Sequence, residues 1–378
     1  MPPVTATSGP VIRPRSVPPA PSKTQPFPAR EKAPLVWVIT GYRAGERTQI
    51  LGLAEALAEH LGWRFEIKAL GYTAIDWLPG LTRRTSLAGI DRESRALLKP
   101  PWPDVVISAG MRNEPVCRWI KAHSGGQARL VQLGRPWVHY RHLDLVITTP
   151  QYRLPARDDV LHNLGTLHRV NPATLAAAGE KWAARFAELP RPRIGVIVGG
   201  HSGPYTLGPN AARSLAKAAS ARAREAGGSL LVTTSSRTPA TAADAMDDAI
   251  DVPHILYRYD ADAGENPYLG ILDQSDELIV TSDSIAMLSE AVAADKGLSI
   301  FDLENGGDDR IAARLYRQLM RFGHRRLTRD LTLFHRALID SGRAGWLRAS
   351  GPAAGPAGPM DDIERSVRRV EALLGRCR

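Results

Sequence analysis

Apolar runs of about four to six residues recur along the chain, most ending in a turn rich in glycine or hydroxyls and then a stretch with helical spacing. Leu35-Val36-Trp37-Val38-Ile39-Thr40 is the first, and unbroken apolarity of that length suits a strand buried on both faces of a parallel sheet. Gly41-Tyr42-Arg43-Ala44-Gly45-Glu46-Arg47 follows as a turn, after which Ile50, Leu51, Leu53, Ala54 and Leu57 mark one face of a helix. Strands are expected again at 65–70, 104–110, 128–133 and 143–148. Met111-Arg112-Asn113-Glu114-Pro115 opens a helix whose first turn tolerates its proline. Asn171-Pro172 begins an alanine-rich helix ending near Pro190, where the pattern starts over. Arg193–Val198 runs into Gly199-Gly200-His201-Ser202-Gly203, Ser229–Val232 into Thr233-Thr234-Ser235-Ser236-Arg237-Thr238-Pro239, and Leu278–Val280 into Thr281-Ser282-Asp283-Ser284. A strand at 254–257 lies between these, one at 298–303 is expected to be the last, and helices at 309–322, 331–339 and 361–374 close the chain.

Strands alternating with helices predict an α/β fold of two Rossmann-like domains facing a cleft. The expected divisions are a proline-rich tail at 1–33, a first domain at 34–170, a connecting helix at 171–190, a second domain at 191–345, and a linker with a C-terminal helix at 346–378. Nine prolines in the first thirty residues and little apolar periodicity mark the tail as disordered.

Composition narrows the partners. No apolar run approaches a membrane span and no hydrophobic signal region opens the chain, so a cytoplasmic location is expected. Cys117 and Cys377 are far apart and outside any metal spacing, so no metal site is expected. The net charge of +10 is uneven: residues 31–170 carry 19 basic and 13 acidic side chains, 171–309 carry 11 and 20, and 310–378 carry 15 and 6. Without a zinc-finger spacing, an RNA-binding aromatic motif or a continuous basic arm, nucleic acid is not an expected partner. A basic first half suits an anionic lipid or a phosphorylated acceptor, although an arginine-rich proteome would give a similar count. The amphipathic, basic C-terminal helix suits either packing across the domain junction or lying on the inner face of the cytoplasmic membrane.

Candidate chemistry gathers where strands end, the edge at which open α/β sheets bind ligands. In the first half, Gly41 and Gly45 allow close backbone approach, with Arg43 or Glu46 available for contact; a tight turn with helix-start charges explains them equally well. The glycine spacing is not the dinucleotide fingerprint, so neither NAD nor FAD is expected. Gly134-Arg135-Pro136 faces the same edge. In the second half, the loop from Gly199 to Gly203 suits a diphosphate but lacks the ending of a P-loop. Its His201 is either an acid or base or a plain surface residue. Ser235, Ser236, Arg237 and Thr238 combine hydroxyls with a guanidinium, good company for a phosphate. Asp283 and Ser284 open a helix on which Glu290 lies almost two turns on; the same residues also suit a simple N-cap and a solvated carboxylate.

Four motifs read together make a resemblance: Arg43-Ala-Gly-Glu46, Ser108-Ala-Gly110, Thr234-Ser-Ser-Arg-Thr-Pro239, and Asn266-Pro-Tyr268 followed by Asp283-Ser-Ile-Ala-Met-Leu-Ser-Glu-Ala291. In that order the chain resembles the bacterial branch of the mitochondrial-fission Elm family, from Pro34 to about Arg336. The bacterial members are generally labelled glycosyltransferases. The resemblance implies a GT-B-like fold, an acceptor bound mainly by the first half (Arg43, Gly45, Ser108, Gly110, Arg112) and a nucleotide sugar bound by the second. Gly199, Gly200, Ser202, Ser235, Ser236, Arg237, Thr238, Asn266, Tyr268, Asp283 and Ser284 would hold the donor, with Glu290 on its ribose. It further implies a metal-independent transfer needing no cofactor beyond the sugar nucleotide, with Glu46, or failing that Asp76, as general base toward a lipid-linked or lipopolysaccharide-type acceptor. Nucleotide-sugar epimerisation and a non-catalytic adaptor role in membrane fission are the alternatives that the resemblance keeps open.

Overall fold

Two six-stranded sheets, all of whose strand pairs are parallel, organise the protein. The structure, a computed structural model, describes residues 33–40, 44–73, 85–305, 311–324, 328–347, 355, 357–358 and 360–375. The expected proline-rich tail at 1–33 apart from Ala33, together with Arg43, Asp76 and residues 348–354, 356 and 359 of the expected linker, lies outside the described residues.

The first sheet has the order β2-β1-β3-β4-β5-β6. Its strands are β1 (Leu35–Thr40), β2 (Arg64–Ala69), β3 (Val105–Ala109), β4 (Arg129–Leu133), β5 (Leu145–Thr148) and β6 (Val160–His162). Helices α1 (Ala44–Leu61), α2 (Arg92–Ala96) and α3 (Glu114–His123) connect them, and α4 (Pro172–Phe186) leads out of this half. The second sheet has the order β12-β11-β10-β7-β8-β9. It comprises β7 (Arg193–Ile197), β8 (Ser229–Thr233), β9 (His254–Tyr257), β10 (Glu277–Thr281), β11 (Gly297–Phe301) and β12 (Gly345–Trp346). Around it run α5 (Pro209–Glu225), α6 (Ala240–Asp247), α7 (Tyr268–Gln274), α8 (Ile285–Ala293), α9 (Ile311–Phe322) and α10 (Leu331–Asp340); α11 (Asp362–Gly375) ends the described chain.

Alternation along β1 shows how the first core is divided. Val36 and Val38 pack with Leu53 and Leu57 of α1 on one face, while Leu35, Trp37 and Ile39 pack with Val116 and Ile120 of α3 on the other. Successive side chains of a strand point to opposite faces, so one apolar run feeds two packed layers.

The strand expected at 298–303 is not the last. Ser299 and Ile300 pair with Gly345 and Trp346 of β12, and β6 extends the first sheet beyond β5. Both additions are edge strands of two or three residues, too short to leave a periodic signal. The C-terminal helix packs into the core of the first half. Val367 and Val370 are buried in the core beside α1, and the Asp362 carboxylate accepts the amides of Leu164 and Gly165 at 3.0 and 2.7 Å. No described helix is long and apolar enough to cross a membrane.

Candidate functional site

Where β3 and β4 end, the first sheet opens into a cavity of about 340 Å³. Glu46, Gln49, Gly110, Arg112, Arg135 and Tyr152 line it, together with Tyr72, Asn113 and Trp137. Glu46 lies in the first turn of α1, where an acidic side chain is favoured. Gly110 has φ +76°, and a Cβ there would stand 2.6 Å from Glu46 Oε2. Glycine at this position therefore lets the carboxylate lie against bare backbone at the cavity floor.

Buried polar groups in and behind the wall fix it. Asn113 is 3% exposed; its amide donates to the carbonyls of Ala109 and Ile39 at 2.9 and 3.3 Å and accepts the Tyr72 hydroxyl. The Glu114 carboxylate accepts the backbone amides of Trp137 and Val138 at 2.6 and 2.9 Å, clamping the loop after β4. Burial pushes Glu114 up to about 7, against the pull of those two amides and of Arg118.

Arg135 joins this cavity to the second half. It donates to the Thr328 carbonyl at 2.6 Å and lies 5.7 Å from the centre of the Tyr152 ring. Arg153 donates to the carbonyls of Met320, Arg321 and Gly323 and to the Thr328 hydroxyl. Arg329 then reaches Ser202 Oγ in the glycine loop at 3.3 Å. Burial lowers the Arg135 pKa, and positive charge on Arg329 and Arg153 lowers it further despite Tyr152. Three guanidinium groups are thus concentrated between the first cavity and the second sheet's glycine loop.

The carboxyl edge of the second sheet is built differently, because its turns bind each other. The Asp283 side chain is fully buried. It accepts Gly200 N at 3.0 Å and Thr281 Oγ1 at 2.7 Å, and pairs with Arg237 at 2.8 Å. Burial raises its pKa, opposed first by the Arg237 charge. Gly200 packs so tightly that a Cβ would lie 2.0 Å from the Arg237 carbonyl oxygen. Ser235 Oγ donates to the Gly199 carbonyl at 2.7 Å, and Thr238 Oγ1 donates to the same oxygen. Arg237, about one third exposed at its side chain, also donates to the His201 carbonyl at 3.3 Å. Ser236 is exposed and Ser202 half-buried. Ser284 begins α8 without a side-chain capping bond, and the Asp283 carboxylate is engaged elsewhere, so neither acts as the simple N-cap.

Two halves of the last motif meet. The Tyr268 hydroxyl donates to Glu290 Oε2 at 2.5 Å, while Asn266 Oδ1 accepts Tyr268 N at 2.9 Å at the start of α7. Burial raises the pKa of Glu290, so it is not a freely solvated carboxylate.

Of the expected acceptor-side residues, Gly110 and Arg112 line the cavity with Glu46. Gly45 is exposed on α1 with open space around it. Ser108 does not line the cavity: it is 2% exposed and donates to Gln132 Oε1 at 2.6 Å, while Gln132 donates to the Gly110 carbonyl at 3.2 Å. Arg43 and Asp76 lie outside the described residues. Gln49, Trp137 and Tyr152 belong to no motif. Gln49 is legible only as a polar position one turn after Glu46 on the same helix. Among the described residues, no group of three His, Cys, Asp or Glu side chains is placed to hold a metal ion.

Two parallel α/β halves whose strand ends carry glycine turns define the class of this protein. The chain belongs to the mitochondrial fission ELM1 family, which it matches over residues 44–370, C-terminal helix included. It is 26% identical over 230 residues to the mitochondrial fission protein ELM1 of Arabidopsis thaliana, a match covering 55% of this chain and 53% of that protein, about half its length. It is 24% identical over 297 residues to an uncharacterized protein of Rickettsia prowazekii, across 70% of this chain and 82% of the relative. Among solved structures it is similar to UDP-GlcNAc 2-epimerase from Methanocaldococcus jannaschii, with TM-score 0.48, 10% identity, and coverage of 89% and 99% of the two chains.

Proposed function

We propose that the protein transfers a sugar from a nucleoside-diphosphate donor to a hydroxyl of an anionic or lipid-linked cell-envelope acceptor, without a divalent metal in the step. The observation that carries this reading is the run of Arg135, Arg153 and Arg329 between a cavity containing a carboxylate and a glycine loop at a second sheet edge. A leaving diphosphate needs positive charge already in place, and guanidinium groups fixed by backbone carbonyls provide it without reorganising.

In the transfer, the acceptor hydroxyl oxygen forms a bond to the anomeric carbon as the bond from that carbon to the diphosphate oxygen breaks. The hydroxyl proton passes to the Glu46 carboxylate, and the nucleoside diphosphate departs with the electron pair. Arg112, in the same cavity, would hold an anionic group of the acceptor. Arg237 and the uncapped start of α8 would face the donor phosphates, with Tyr268 keeping Glu290 in place for the ribose.

Thermal unfolding with a panel of nucleoside diphosphates and nucleotide sugars tests this reading. At a hundredfold excess over Kd, a true donor contributes about 2.7 kcal/mol and raises the midpoint. Arg329→Ala should weaken that response, and a chelator should leave it intact. The name of the Arabidopsis relative supports a second reading, an adaptor in membrane fission. In that case no nucleotide in the panel would move the midpoint.

A further inference from the structure

Beside the Glu46 cavity lies a far smaller pocket of about 10 Å³, room for a single water-sized group. Gln49, Leu133 and Gly134 line both, so the two adjoin. The rest of the small pocket includes Thr148, at the end of β5, and Asn163 and Thr166, which follow β6. Each of these three carries a buried oxygen with no hydrogen-bond partner: Thr148 Oγ1, Asn163 Oδ1 and Thr166 Oγ1. Thr148 is 1% exposed and Asn163 2%. Buried polar atoms are nearly always paired, so three without a partner around one pocket mark a place for a guest.

The network behind Asn163 fixes which way its amide points. Ser366 Oγ donates to the Asp362 carbonyl at 2.7 Å and accepts Asn163 Nδ2 at 3.0 Å. Flipped, the amide would turn Oδ1 toward a hydroxyl whose proton is already engaged. Oδ1 therefore needs a donor, while the two threonine hydroxyls can donate or accept. No lining residue is charged, which disfavours an ion. One O–H group meets all three demands. The site is also held in place: the Asp362 carboxylate accepts the amides of Leu164 and Gly165, and Thr166 N donates to Ser289 Oγ of α8 at 3.0 Å.

We propose that Thr148, Asn163 and Thr166 read one hydroxyl of the acceptor bound in the Glu46 cavity, which makes that acceptor a sugar or other polyol and not a lipid alcohol with a single hydroxyl. One hydroxyl faces Glu46 and a second enters the pocket. Gln49 stands three residues after Glu46 on α1, about 5–6 Å between Cβ atoms, so both hydroxyls fit within one sugar ring. The word acceptor rests on the transfer reading; the pocket itself asks only for a hydroxyl beside the cavity.

The test is saturation-transfer NMR and titration of the full chain with millimolar methyl glycosides of glucose, galactose, mannose and N-acetylglucosamine, each with its monodeoxy analogues. At least one glycoside should bind, and loss of one particular hydroxyl should weaken it at least about tenfold. Thr148→Val and Thr166→Val should weaken the parent glycoside by a similar factor and leave that deoxy analogue unaffected. Because each variant removes a buried hydroxyl without a partner, the unfolding midpoint of the free protein should stay equal or rise. A lowered midpoint would mean that the hydroxyl already holds a structural water, and would overturn the proposal. So would failure of every glycoside to bind, or equal binding by protein and variants. Nucleotide stabilisation without glycoside binding leaves the transfer reading standing and sinks this one, whereas glycoside binding that depends on Thr148, without any nucleotide response, does the reverse.

Discussion

The carboxyl edges of the two sheets start from the same local plan, a buried strand running into a glycine-bearing turn and a helix, yet one is open and the other is laced shut. At the first edge, Gly110 clears room for Glu46, and the polar groups that fix the wall are Asn113, itself part of the lining, and Glu114 behind it. At the second, Ser235, Thr238, Arg237 and Asp283 spend their bonding capacity on Gly199, Gly200 and His201. Under the proposed transfer, two similar turns would divide the work: one presenting side chains, the other supplying a rigid backbone against which a ligand is held. Preorganisation of the second kind carries no reordering cost when the ligand arrives.

The contrast can be broken most sharply at Glu46. Glu46→Gln should lower the rate of sugar transfer by about a hundredfold to ten-thousandfold while shifting the urea midpoint little; a large loss of stability with the rate preserved would make Glu46 a scaffold residue instead. Asp283→Ala should do the reverse. It strands Arg237 and the Gly200 amide, and equilibrium urea unfolding should register a loss of about 2 kcal/mol, below the fully buried range because Arg237 is partly solvated. An unchanged stability would mean that the second edge is held by something other than its carboxylate.

Glu114 sharpens the comparison through pH. Its folded pKa of about 7 lies above the ordinary 4.5, so the folded state holds the proton more tightly than the unfolded chain. That contribution is fully present below about 4.5 and is lost as pH rises through about 7, on the order of 3 kcal/mol in all. Glu114→Gln should flatten this slope in unfolding free energies measured across the window, and an unaltered slope would assign it to other groups.

The sheets were legible because buried parallel strands are written as unbroken apolar runs, as in Leu35–Ile39 and Leu278–Val280. β6 and β12 were not, since Val160–His162 and Gly345–Trp346 are edge strands of three and two residues, too short to show a period. In the first site, Glu46, Gly110 and Arg112 could be named from the turns they follow, and Arg135 was visible at the same edge. Their grouping with Gln49 and Tyr152 depends on strand order, which local pattern does not encode. In the second site the motifs were found but the direction of their side chains was not. Whether a serine faces a ligand or the Gly199 carbonyl 36 residues away is settled by tertiary packing. The amphipathic basic helix was likewise noticed at 361–374, but not the place its apolar face takes in the core beside α1.

The return of α11 to the first half has a mechanical meaning. Polypeptide passes between the halves twice, outward through α4 and back before Asp362, and the Asp362 carboxylate fastens the return to the amides of Leu164 and Gly165. Two connections oppose free twisting of one half against the other more than one would. A shortened chain lacking α11 would lose that restraint together with the packing of Val367 and Val370 beside α1.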